Sequence, residues 1–137
     1  MKKIIINIAR FGAAAILLQT LFFKFTAAPE SVYIFSTLGI EPFGRIGSGI
    51  AELIAAILLL WPSKSLIGAI LSAGVMAGAI ASHVLFLGYE IMGDGGLLFS
   101  LAAIVLILNL TIILYNFQKL ISVNLTKPFT LINQLSL

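Results

Sequence analysis

Four long apolar stretches decide what this chain can become. The first runs from Ile4 to Phe23, broken by Asn7, Arg10 and Gln19. The second runs from Ile46 to Trp61, with Glu52 as its only charge, and has room to begin as early as Pro42. The third runs from Leu66 to Leu87 and carries His83 near its end; the fourth runs from Leu97 to Phe117, with Asn109 its most polar member. A membrane-spanning helix needs about 20 mostly apolar residues. With 9% charged residues the chain has too little polar surface to face water on all sides, since soluble domains carry roughly 25%. Helical amphipathicity is weak in every stretch, as expected when lipid covers the outer faces. The expected fold is an all-α integral membrane four-helix bundle. It forms a single domain over residues 1–137, with spans near 4–25, 43–61, 66–87 and 96–117 and a C-terminal tail at 118–137.

The breaks are equally plain. Trp61-Pro62-Ser63-Lys64 is a tight turn, and Gly88 to Gly96 is a glycine-rich link that contains Glu90 and Asp94. In the first loop, Pro29 suits the first turn of a helix and Gly39 the position just past one. Val32, Tyr33, Ile34, Phe35 and Leu38 lie between them, so a short amphipathic helix at the membrane interface is expected. The tail mixes apolar residues with Lys119, Lys127 and Pro128 and is expected at the inner interface.

Basic residues orient the bundle. Lys2, Lys3, Arg10, Lys64, Lys119 and Lys127 fall on one side; Lys24 and Arg45, with Glu30, Glu41, Glu90 and Asp94, fall on the other. The side with more lysine and arginine is cytoplasmic by the positive-inside rule. Both termini are therefore expected in the cytoplasm, most naturally across a bacterial inner membrane. Lys2-Lys3, the following apolar run and Ala27-Ala28 loosely resemble a cleaved signal peptide, but Arg10, Lys24 and the length of the run fit a retained span better. The net charge of +3 is too small and scattered to point to nucleic acid.

Rows of small residues predict close helix packing. Gly74, Gly78 and Ser82 recur every four residues, as do Ala69, Ala73, Ala77 and Ala81, and Gly47, Ala51 and Ala55. Such rows let helices approach in lipid. Packing within one chain is the plainer use, and an oligomer seam the other.

Charged residues at mid-bilayer cost roughly 3 kcal/mol or more and normally face the bundle interior with partners. Taking Arg45 as the outer edge of its span, Glu52 lies about 10 Å deeper, two turns along the same face; His83 lies about 6 Å below the outer boundary. Arg10, Leu17 and Lys24 share a stripe that places Lys24 at the outer end of the first span, with Gln19 about five residues below it. Asp94 opens the fourth span. Lys24, Arg45, Glu52, His83, Asp94 and Gln19 are the candidate ligand-binding residues, gathered in the outer half. Mutual pairing or snorkelling to the interface accounts for each of them singly. Glu52 is the strongest functional candidate because it is the deepest charge. One histidine, loop carboxylates and no cysteine make a weak metal set, so no metal is expected. Phosphate loops and nucleophile motifs are absent from the sequence.

Several segments resemble the DoxX-like family of small four-helix membrane proteins. Arg10 followed by Lys24-Phe25 is similar to that family's first helix; Phe35, Leu38-Gly39-Ile40 and Pro42 to its first loop; Gly49-Ile50-Ala51-Glu52-Leu53 to its second-helix signature. The Gly- and Ala-rich third helix around Met76 and the Gly93-Asp94-Gly95-Gly96 turn are similar as well. The resemblance implies a four-helix membrane fold. It also implies a role as a membrane subunit beside an oxidoreductase, with quinone as the ligand, or else as a factor assisting assembly of other membrane proteins. With no cysteine and no cofactor motif, the chain has no intrinsic cofactor and is not expected to be an enzyme by itself. The leading expectation is a redox-associated subunit that binds quinone or a similar amphipathic molecule beside Glu52 and His83. The alternatives are a non-enzymatic assembly or interaction factor and, ranked last, a small-solute transporter, for which four helices leave little room.

Overall fold

The computed structural model describes the backbone of residues 1–135 and the side chains of residues 1–125. All of its regular structure is helical. Helix α1 spans Lys2–Phe25, α2 Pro29–Thr37, α3 Phe43–Leu60, α4 Ser65–Ser82 and α5 Leu97–Leu135. A single 3-10 turn, Pro62–Lys64, joins α3 to α4, and α4 continues into a wider π-turn at His83–Leu87. Four segments are long and apolar enough to cross a membrane: Lys2–Phe25, Phe43–Leu60, Pro62–Leu87 and Leu97–Leu125.

Local chemistry explains the boundaries. Pro29 occupies the first turn of α2, where its missing N–H costs nothing. At the other end Gly39 takes φ +73°, its N–H bonds Ser36 O and the next N–H bonds Phe35 O, both at 3.0 Å. This is a Schellman cap, which needs a left-handed residue just past the helix. The sequence places that glycine correctly.

α1 packs against α3 and α5, and α4 packs against the same two helices, so α1 and α4 stand diagonally opposite. The tight core occupies the half of the bundle nearest the Pro62 turn. Ala13, Ala14, Ala55, Ala56, Leu59, Ala69, Val105 and Ile112 are buried there. Gly68 sets the closest approach, because a Cβ built on it falls 2.7 Å from Leu59 N and 2.9 Å from Ala55 O.

The antiparallel helices α1 and α3 hold each other's ends with arginines. Arg10 of α1 donates through Nε to Leu59 O at 2.8 Å and through Nη2 to Leu60 O at 2.9 Å, the last two carbonyls of α3. Its Nη1 donates to Asn7 Oδ1 at 3.0 Å. Arg45 of α3 donates through Nη1 to Lys24 O in the last turn of α1. Carbonyls at a helix C-terminus lack intrahelical donors and form the negative end of the helix dipole. Two buried cations thus rest on two helix C-termini.

One sequence expectation changes here. The small-residue rows do not follow the helix seams. A four-residue step on a 3.6-residue helix drifts about 40°, so each row walks off the contact face. Ala69 is fully buried, whereas Ala77 and Ala81 are exposed; Ala55 is buried and Gly47 exposed. The seam of α4 is Ser65, Gly68, Ala69, Ser72 and Met76. The conformation of the tail, which the sequence left open, is helical as far as it is described. Residues 118–135 continue α5 without a break, and residues 136–137 lie outside the described residues. At 1.5 Å per residue α5 is roughly 58 Å long, about twice the thickness of a bilayer core.

Candidate functional site

The helices that touch near the Pro62 turn leave a cavity of about 400 Å³ at the opposite end, beneath α2. Leu17, Met76, Ala102 and Val105 line it on the core side. Ser31, Ile34 and Phe35 line it from α2. Most of the lining is aliphatic or aromatic, with Thr20, Lys24, Ser31, Ser48, Glu52, Ser82 and His83 as the polar positions.

Its electrostatic centre is an ion pair. Glu52 is 1% exposed, and its Oε1 accepts from Lys24 Nζ. The ammonium also sits 5.9 Å from the centre of the Phe35 ring on α2, a cation–π distance. Thr20 Oγ1 lies 3.3 Å from Glu52 Oε2 but 2.8 Å from Leu17 O. A hydroxyl has one proton to give, and the shorter contact takes it. Glu52 Oε2 is left with a weak partner.

His83 stands where α4 widens. Gly88 N–H bonds His83 O at 2.8 Å, closing the π-turn, and His83 Nδ1 meets Gly88 O at the same distance. A carbonyl only accepts, so Nδ1 carries the proton. Nε2 has no hydrogen-bond partner among the described residues. The ring lies edge-on to Phe99, with centroids 5.6 Å apart, and borders both the main cavity and a smaller pocket beside Tyr89. The turn ends the helix at Gly88, a place where π-turns are common.

On one flank the wall is Gly74 and Gly78. Both are exposed, and a Cβ on either would meet nothing within 4 Å. Small residues here make room; they do not bring helices together.

Of the six residues the sequence singled out, Lys24, Glu52 and His83 line this cavity, and Arg45, Asp94 and Gln19 do not. Arg45 shares a face with Glu52 by spacing, yet helical side chains lean towards their own N-terminus. Its Nε reaches back to Glu41 Oε1 at 2.7 Å and its Nη1 to α1. Gln19 is exposed on the far side of α1, about 140° around the helix from Lys24. Thr20, four residues before Lys24 and on its face, is the residue that reasoning from sequence missed; Ser31 and Ser48 are others.

Asp94 shapes the link between α4 and α5. Its Oδ1 accepts from Ile91 N at 2.9 Å and Gly96 N at 2.8 Å, and its Oδ2 from Leu98 N at 3.0 Å. Burial opposes ionisation and is the largest single influence, but the amides of Leu98, Ile91 and Gly96 and the charge of His83 together outweigh it and hold the carboxyl below its ordinary value. A carboxyl lowered by folding stabilises the fold fully above its unfolded pKa and loses that contribution as pH falls through the folded value. Amide exchange at Ile91, Gly96 and Leu98 should therefore stay slow down to the usual carboxylate range and quicken only below it. Asp94→Ala should quicken it roughly fivefold at neutral pH, about 1 kcal/mol for a partly exposed capping carboxylate. Unchanged exchange in that variant would deny Asp94 its capping role.

Below the cavity, Asn109 Nδ2 donates to Ser72 Oγ at 2.7 Å and joins α5 to α4, while Asn109 Oδ1 is buried without a partner among the described residues. No group of three His, Asp or Glu side chains able to hold a metal occurs among the described residues.

No protein-family model, curated protein or solved structure matches this chain. The cavity must therefore be read from its own chemistry. It offers an apolar volume, a paired cation and carboxylate, and one imidazole nitrogen.

Proposed function

We propose that this chain is a membrane protein that binds a small amphipathic molecule, a quinone or one of similar shape, in the cavity beneath α2. The observation that carries the reading is the cavity itself. Its volume of about 400 Å³ falls within the range of small-molecule sites, which are mostly apolar with a few convergent polar groups. An apolar tail suits the aliphatic walls, and a polar head suits the end where Lys24, Glu52 and His83 stand. The bare flank at Gly74 and Gly78 gives such a molecule a way in from the acyl chains. The resemblance to DoxX-like proteins supports the same reading. With no cysteine to carry redox chemistry, the chain would serve beside an oxidoreductase or another membrane protein that supplies it. The distribution of lysine and arginine supports placing the α2 end outside a bacterial inner membrane, with α2 at the interface and both termini in the cytoplasm.

The test is a titration of the purified protein in nanodiscs with decylubiquinone, corrected for uptake by empty nanodiscs. Saturable binding is expected. The double variant Glu52→Gln/His83→Ala should weaken binding of the reduced form, decylubiquinol, roughly five- to thirtyfold, the effect of losing one to two net hydrogen bonds of about 1 kcal/mol each from its hydroxyls. Equal binding by the double variant would remove the site assignment, and no saturable binding would remove the reading itself.

A further inference from the structure

Among the described residues, the cavity holds one acceptor that has no protein donor and a second that a protein donor serves only weakly. His83 Nδ1–H is committed to Gly88 O whatever the charge of the ring, so in the neutral form the lone pair lies on Nε2, which has no partner among the described residues. His83 is 5% exposed, so bulk water does not serve it freely. Glu52 Oε2 is the second such acceptor: the Thr20 hydroxyl nearest to it, at 3.3 Å, is better placed for Leu17 O at 2.8 Å. Both side chains line the same cavity. On the donor side stands Lys24, whose ammonium has three N–H bonds and gives one to Glu52 Oε1.

A ligand head that only accepts, such as a ketone, quinone or ether oxygen, meets Lys24 and leaves both acceptors unfilled. A hydroxyl accepts from Lys24 and donates to an acceptor as well. Buried polar groups left without partners cost more than made hydrogen bonds return. An anionic head is disfavoured too, because Glu52 already balances Lys24. We infer that the cavity selects uncharged, hydroxyl-bearing amphipaths, such as phenols, quinols or other lipid-phase alcohols, over their carbonyl or ether counterparts, with His83 Nε2 and Glu52 Oε2 as the selecting acceptors. The inference rests on the amphipath-binding reading and adds the chemical class of its ligand; of a quinone and quinol couple, it assigns the quinol as the tighter ligand.

The discriminating pair is para-octylphenol and its methyl ether, which share shape and tail and differ in one donated proton. Each is titrated into the full chain in nanodiscs at about pH 8.5, where imidazole in general is neutral, with uptake by empty nanodiscs subtracted. The phenol should bind about tenfold tighter than the ether, the effect of one net hydrogen bond of ~1.4 kcal/mol. In His83→Phe, which keeps a ring against Phe99, that preference should fall at least threefold. Equal affinities in the unaltered chain overturn the inference and leave the amphipath site standing. A preference that persists undiminished in His83→Phe overturns the role of His83. Saturable binding of neither compound removes the site and the inference together.

Discussion

Lys24→Met should destabilise the protein by about 3–5 kcal/mol, the usual cost of removing one partner from a buried ion pair. The size follows from what is left behind. The Glu52 side chain is 2% exposed, its Oε1 loses its only donor among the described residues, and its Oε2 keeps the weak contact with Thr20. The Lys24 backbone is untouched, so the carbonyl that receives Arg45 stays in place and the loss isolates the charge. Adding Glu52→Gln to Lys24→Met should recover most of the stability, because an uncharged amide costs far less to bury than an unpaired carboxylate. Equilibrium unfolding from mild detergent into increasing SDS, run as a double-mutant cycle, measures the coupling. A Lys24→Met protein as stable as the unaltered chain would mean that water reaches Glu52 and that the pair does not organise the cavity.

The second large effect is at Gly68. In Gly68→Val the new Cβ meets Leu59 N and Ala55 O, both backbone atoms of α3 that cannot rotate away. The helices must part, at a cost of about 3 kcal/mol, the upper part of the range for overpacking a filled interior. Gly78→Ala, ten residues further along the same helix, should be neutral or stabilising by up to about 1 kcal/mol, since its Cβ meets nothing and alanine favours helix. The same unfolding measurement compares them. Similar losses for the two variants would show that the flank at Gly78 is closed in the membrane.

The contrast between these glycines marks where the sequence is silent. Gly68, Gly74 and Gly78 all read as small residues on an apolar helix. One is a point of contact and two border a cavity, and the difference arises because α3 and α4 touch near their connecting turn and diverge from it. No spacing rule encodes that divergence. Arg45 and Glu52 show the same limit at the site. Seven-residue spacing correctly put both on an inward face, and both are buried. Which partner each chose depended on side-chain direction. Arg45 leaned back to Glu41 and to the end of α1, while Glu52 was left to Lys24.

By itself the sequence determined the four apolar helices, the turn at Pro62, the short helix between Pro29 and Gly39 and the inward position of Glu52. These depend on local quantities, namely hydrophobic length, proline and glycine geometry, and the cost of charge in an apolar medium, all of which act within a few residues. Only the tertiary structure decided that Lys24, Glu52 and His83 share one cavity while Arg45, Asp94 and Gln19 serve or lie elsewhere. That outcome depends on where α1, α3, α4 and α5 separate, on the proton fixed at His83 Nδ1 by Gly88, and on which helix end lay within reach of each arginine. Each is a relation between segments distant in the chain, and the spacing of residues along one helix does not carry it.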